Sequence, residues 1–276
     1  MNRDTEQLMS RRLIFPLVLL GLAVGDRLPA QEALPEQGSE ATSLAEAVAN
    51  PIADLISLPL QLNNDLGYGE FDRSVNILNI QPVVPLAGGR IVTRTIFPIV
   101  WIPDFGAESG QFTSGLADIV ATVFYVPESD GIMWGVGPVL EIPTGGDKRG
   151  SEKWSAGPSG VVLSQSGPWT IGALANNVWS FAGDDDAADV NRGLLQYFLT
   201  YQLGNGWYVN SAPIITVDWE AEDDKWKVPF GGGGGKVLML GKLPTNVQAG
   251  AYWYAVKPDF GPDWQIRLQV QFLFPT

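Results

Sequence analysis

The stretch Trp264-Gln-Ile-Arg-Leu-Gln-Val-Gln-Phe-Leu-Phe274 alternates almost strictly between apolar and polar residues. Trp264, Ile266, Leu268, Val270, Phe272 and Phe274 fall on one face, and Gln265, Arg267, Gln269 and Gln271 on the other. A period of two is that of a β-strand with one apolar and one wet side. Its length is that of a strand crossing a bilayer at a tilt. A chain closing on such a strand fits a membrane barrel, with the apolar face toward lipid and the glutamine face toward the lumen.

The same pattern repeats upstream. Twelve strands are expected, at about 55–66, 74–85, 90–102, 115–126, 133–142, 154–164, 169–181, 191–202, 207–219, 226–240, 244–256 and 264–274. An even number suits a single-chain antiparallel up-and-down barrel. Their connections alternate in character. Ala87-Gly88-Gly89, Glu128-Ser-Asp-Gly131, Gln165-Ser-Gly167, Gly204-Asn-Gly206 and Gly241-Lys-Leu243 have tight-turn compositions. The others, 67–73, 103–114, 143–153, 182–190, 220–227 and 257–263, are longer and acidic. Short turns on the periplasmic side and long loops outside are the asymmetry of outer-membrane barrels.

Tryptophan gives a further line of support. Trp101, Trp154, Trp179, Trp219, Trp226 and Trp264 fall at the loop ends of these strands, and Trp134, Trp169 and Trp207 at the turn ends. Only Trp253 is expected further in. Indole prefers the headgroup level, so two belts of it mark a barrel. Four prolines fit less well. Pro59, Pro82, Pro98 and Pro213 lie within strands of a sheet that has no free edge, so local bulges are expected there. A kink or bulge is also expected in the run Gly231 to Gly235.

Composition narrows the function. The 276 residues include no His and no Cys. That removes the usual general base, thiolate nucleophiles and the commonest metal ligands, so most hydrolase chemistry is excluded and no cofactor is expected. A formal charge of −13 argues against nucleic acid as a partner. Mean hydropathy near zero is what in–out alternation produces in a membrane strand.

Residues 1–30 read as a signal peptide: Arg11-Arg12, an apolar run from Leu13 to Val24, then Leu28-Pro-Ala30 before Gln31. Met9 offers a shorter start. Ser10-Arg-Arg-Leu-Ile-Phe15 has a partial likeness to a twin-arginine signal, but that route carries folded cargo, so an ordinary signal is expected. Residues 31–54 read as a periplasmic lead, with helical turns over Ser43 to Ala49 stopped by Asn50-Pro51. They are read as an amphipathic turn at the barrel base in preference to a small plug. The barrel follows over 55–276.

The polar faces supply candidate lumen-lining residues: Asn79, Gln81, Arg94, Gln196, Thr200, Gln202, Asp218, Gln265, Arg267, Gln269 and Gln271. Arg94 and Asp218 are charges within strands. Facing lipid at mid-membrane would cost an arginine about 2–4 kcal/mol, so these should face inward. A selectivity lining and a hydrated network that fills the barrel both remain open. Asp184-Asp185-Asp186 with Asp189, and Glu220, Glu222, Asp223 and Asp224, read as solvated acidic loops; they lack the spacing of a calcium loop. Gly231 to Gly235 before Lys236 lacks the ending of a phosphate loop.

Seven segments give a family resemblance. They are Asn50-Pro-Ile-Ala-Asp-Leu-Ile-Ser-Leu-Pro59, Asn76-Ile-Leu-Asn-Ile-Gln-Pro82, Trp134-Gly-Val-Gly-Pro138, Lys153-Trp-Ser-Ala-Gly-Pro158, Asn176-Asn-Val-Trp-Ser-Phe-Ala-Gly183, Ser211-Ala-Pro-Ile-Ile-Thr216 and Gly261-Pro-Asp-Trp-Gln-Ile-Arg267. Together the chain resembles a family of bacterial outer-membrane proteins labelled for the meta-pathway of phenol degradation and misnamed "neuromedin U". The resemblance implies an outer-membrane barrel passing small molecules, aromatic or hydrophobic ones among them. Outer-membrane lipid, a small solute, and barrel-assembly machinery acting through the C-terminal strand are the partners expected. The rival expectations are a filled structural or surface-recognition barrel and, behind it, an outer-membrane enzyme.

Overall fold

A computed structural model describes residues 35–274, so the signal-peptide expectation lies outside the described residues. After helix α1 (Pro35–Val48) come β1 (Ile56–Tyr68), β2 (Arg73–Ile80), β3 (Val83–Leu86), β4 (Ile91–Pro103), β5 (Phe112–Leu116), β6 (Ile119–Tyr125), β7 (Ile132–Ile142) and β8 (Lys153–Ser166). Then follow β9 (Trp169–Gly183), β10 (Asn191–Gly204), β11 (Trp207–Ser211), β12 (Ile214–Asp218), β13 (Trp226–Leu240), β14 (Leu243–Val256) and β15 (Trp264–Phe274). β2 with β3, β5 with β6, and β11 with β12 are each one crossing in two pieces, giving twelve antiparallel crossings. β15 returns to β1 over the register Ile56↔Phe274 to Leu66↔Trp264, so the sheet closes and has no edge. In a bilayer, closure is the only way a sheet can satisfy every strand's backbone.

The interruptions follow proline chemistry. Gln81-Pro82 and Ala212-Pro213 split their crossings outright, where only bulges are expected; a third gap lies at Ala117-Asp118, which has no proline. Pro59 and Pro98 cause no break in β1 or β4. The Pro59 carbonyl accepts from Gln81 N at 2.9 Å, and that of Pro98 from Ala117 N at 2.8 Å. In an antiparallel strand N–H and C=O of one residue point the same way. Each missing N–H therefore points at the gap in the neighbouring crossing, where it leaves little unmade.

The glycine run also corrects its expectation. β13 continues unbroken through it, pairing Asn210↔Gly233 on one side and Gly233↔Gly250 on the other. The register shift lies instead between Val228 and Pro229. A Cβ on Gly231 or Gly233 would collide with the carbonyl oxygens of Ala251 and Ala249, so glycine is what lets β13 and β14 approach so closely. Asn205 and Gly206 both have positive φ, 51° and 77°, as the two-residue turn joining β10 to β11 demands. The connection from β1 to β2 is shorter than expected, since β1 runs on to Tyr68.

Alternation decides what meets lipid. On β15, Leu268 is 50% exposed and Arg267 only 3%. All ten tryptophans are exposed on the outer wall, between 36% and 52%. Trp253 pairs with Trp264, so it belongs to the loop-end belt rather than lying further in. Trp219 and Trp226 meet edge to face there at 5.6 Å. At the turn end, Lys236 lies over the Trp207 ring at 4.9 Å, placing its ammonium at headgroup level. An apolar wall between two aromatic belts is a surface made for a bilayer.

Candidate functional site: the barrel lumen

Strand parity turns all eleven candidate residues inward. Gln81, Thr200, Gln202, Arg267 and Gln271 are buried; Asn79, Arg94, Gln196, Gln265 and Gln269 are half-buried; Asp218, at the loop-end mouth, is exposed. Arg267 is held by three hydrogen bonds, to Asn63 Oδ1 (3.1 Å), Gln265 Oε1 (2.9 Å) and the Ala212 carbonyl (2.9 Å). Its guanidinium also lies 4.6 Å from the Tyr252 ring centre. Gln265 donates onward to Asp65 at 2.8 Å. Arg94 makes one bond, to Gln81 Oε1 at 2.6 Å. Among the described residues neither arginine forms an ion pair.

Among the described residues, two chambers open within the lumen. The loop-end vestibule, about 590 Å³, is lined by Asn79, Thr122, Glu141, Arg192, Thr216 and Asp218 among others. The turn-end chamber, about 170 Å³, is lined by Thr200, Asn210, Gln248, Arg267, Gln269 and Gln271 among others. Gln61, Gln81, Arg94, Leu174 and Gln196 line both, and so form the septum between them.

At the turn end the segment before β1 packs against the barrel and carries Ile52 into an inward-facing cluster. α1 is longer than expected and Ala45 is fully buried, packed with Leu55, Tyr208, Val237 and Leu273. Gln165 donates to the Glu46 carbonyl at 2.9 Å. Beyond the helix, Asn50 Oδ1 accepts from Ile52 N at 3.0 Å, shaping the turn. That turn drives Ile52 into a cluster of inward-facing Val92, Phe124, Val161, Leu163, Leu174 and Phe198. The missed signal was chemical: a lone Ile between Pro51 and Ala53, in no strand pattern, needs an apolar home.

The loop end is charged and tethered. Arg192 pairs with Glu141 (2.7 Å), Lys257 with Asp263 (2.6 Å) and Lys153 with Asp189 (3.6 Å). At the gap in the β5–β6 crossing, Asp118 accepts from Gly145 N (2.9 Å), Ser151 N (2.7 Å) and Ser151 Oγ (2.9 Å), anchoring the loop after β7. Among the described residues no group of three or more acidic side chains is placed to hold a metal ion. Outside the strands at the turn end, Glu128 beside Arg90 raises that guanidine's pKa further. Several buried polar atoms lack partners: the hydroxyls of Ser155, Ser159 and Tyr252 and the amide of Gln202. On the outer wall, Gly137, Pro138, Gly157, Pro158 and Gly160 leave a shallow apolar hollow.

No protein-family model matches the chain, and no curated protein matches it. Solved structures do. The chain is similar to an outer membrane channel from Pseudomonas putida F1, with TM-score 0.56 and 17% identity over 80% of this chain and 96% of that one. It is similar to the NanC porin, with TM-score 0.53 and 9% identity over 79% of this chain and 100% of that one. Outer membrane phospholipase A from Escherichia coli aligns at TM-score 0.40 and 13% identity, over 84% of this chain and 98% of that one. At such identities the likeness is one of fold. With the closed sheet, apolar wall and two aromatic belts, it makes this chain a bacterial outer-membrane β-barrel.

Proposed function

We propose that the protein is a passive channel for small solutes, with residues 1–30 as its export signal and residues 31–54 as a periplasmic lead that stoppers the barrel. The observation that carries this is the pair of chambers sharing the Gln61, Gln81, Arg94 and Gln196 septum. A barrel of ~8 strands is filled by its own side chains and one of ~16 leaves an open channel. Twelve crossings leave space that is not filled, and the amides and hydroxyls lining it can replace part of a solute's hydration. The long-loop end faces outward in this reading, so solute meets the vestibule first. β15 is the strand offered to the assembly machinery. With no His or Cys, the chain is read as a non-enzyme. Liposome swelling tests the function: vesicles holding the refolded protein should admit small sugars and amino acids faster than empty ones. Equal rates would reject it.

A filled structural barrel is the second reading. It is favoured by the Arg267 network and by Ile52 in the apolar cluster, which together narrow the turn-end half. Within the channel reading, an aromatic or hydrophobic cargo is supported by the apolar side of the vestibule, where Val139 and Val178 cluster with Val120.

A further inference from the structure

Arginine carries five N–H donors and no acceptor. In Arg267 three are used and the ring of Tyr252 covers the guanidinium. In Arg192 the charge is met by Glu141 at 2.7 Å. Arg94 differs from both. It bonds Gln81 alone, has no ion pair among the described residues, and lines both chambers at the septum. A charge removed from water and left without a counter-charge is costly, and an anion bound beside it offsets that cost.

What lies next to Arg94 narrows the anion. The next inward residue toward the loop end on the same strand is Ile96, which pairs with Val120. Val139 follows beside Thr122, and Val178 and Leu174 continue the apolar side of the vestibule. The Ser159 hydroxyl on this wall has no partner. Of the vestibule's carboxylates, Glu141 is neutralised by Arg192, while Asp218, Asp223 and Asp224 lie at the mouth together with Lys225 and Lys227. Charges of both signs therefore meet at the mouth, whereas at the floor Arg94 is a cation with no carboxylate paired to it among the described residues. Its volume of about 590 Å³ is that of a small-molecule site.

We infer that the vestibule is a binding site for a small monoanionic amphiphile, its carboxylate or sulfonate on Arg94 and its short apolar body against Ile96, Val120 and Val139. This rests on the reading of the lumen as a solute path and names the class of solute. The test is calorimetric titration of the full-length refolded protein in lipid nanodiscs, corrected for empty discs, with hexanoate, hexanesulfonate, hexan-1-ol, hexylammonium and acetate. Hexanoate and hexanesulfonate should bind at least tenfold more tightly than hexan-1-ol, and hexylammonium and acetate should be weakest. Arg94→Gln should remove the preference for hexanoate over hexan-1-ol, and Arg94→Lys should retain it. Equal binding of hexanoate and hexan-1-ol, tighter hexylammonium, or an unaltered preference in folded Arg94→Gln would overturn the inference. If Arg94→Gln does not refold, the wild-type ligand series and Arg94→Lys decide. Binding is read without conduction, so anion binding to a barrel that passes nothing would defeat the channel reading and leave this one standing.

Discussion

Arg267 Nη1 donates to the backbone carbonyl of Ala212 at 2.9 Å, reaching from β15 to the gap between β11 and β12. Two intervening residues lack side chains: Gly250 pairs with Arg267, and Gly233 with Gly250. Pro213 breaks the crossing, and the carbonyl before it takes its hydrogen bonds from lumen side chains, Arg267 and, at 3.4 Å, Gln196. A charged side chain thus mends a proline gap.

Arg267→Gln should therefore lower stability. Each hydrogen bond to a charged group contributes roughly 1.5–3 kcal/mol, and Arg267 and its partner Asn63 are both buried. Urea unfolding in lipid vesicles should show a lower midpoint than for the wild type. An unchanged midpoint would mean the network is incidental.

Arg94 and Arg267 should separate in their effects on ions. Arg94→Glu should move the reversal potential in a salt gradient toward cation preference with little loss of stability. A charge in a narrow, low-dielectric lumen acts strongly on a passing ion. Arg267→Glu should chiefly destabilise, because it also faces Asp65 through Gln265. A selectivity change from Arg267→Glu alone would reverse the assignment.

Leu268→Arg should destabilise far more than Gln269→Arg. The residues are neighbours on opposite faces, one 50% exposed on the outer wall, the other lining the inner chamber. The lipid-facing change should cost about 2–4 kcal/mol near mid-membrane. Equal refolding yields in lipid would contradict the assignment of faces.

Topology can be read with an impermeant thiol label, since the chain has no cysteine. In intact cells Asp186→Cys should label and Asn205→Cys should not. Both positions are exposed, at opposite ends of the barrel. The reverse result would invert the orientation.

The fold was legible because two-residue periodicity is local. Leu268 and Arg267 announce their faces from sequence alone, and eleven inward side chains followed from parity. What was not legible depended on pairing across strands. Pro98 is harmless only because the adjoining crossing is interrupted at Ala117-Asp118, and Trp253 joins a belt only because it pairs with Trp264. Gly233 reads as a kink in isolation and as a close approach beside Ala249. Ile52 is the largest omission: its home is built from strands β4 to β10, which no local pattern around Asn50 reveals.

That segment also allows the most direct test of the central claim, a polar conduit stoppered at its turn end. Single-channel currents should be recorded in planar bilayers from the full-length protein and from a variant lacking residues 35–54. The account predicts small discrete steps from the full-length protein and larger ones from the variant, because Ile52 and α1 no longer occupy the turn-end mouth. Silent recordings from both, with the barrels shown to be folded, would contradict it.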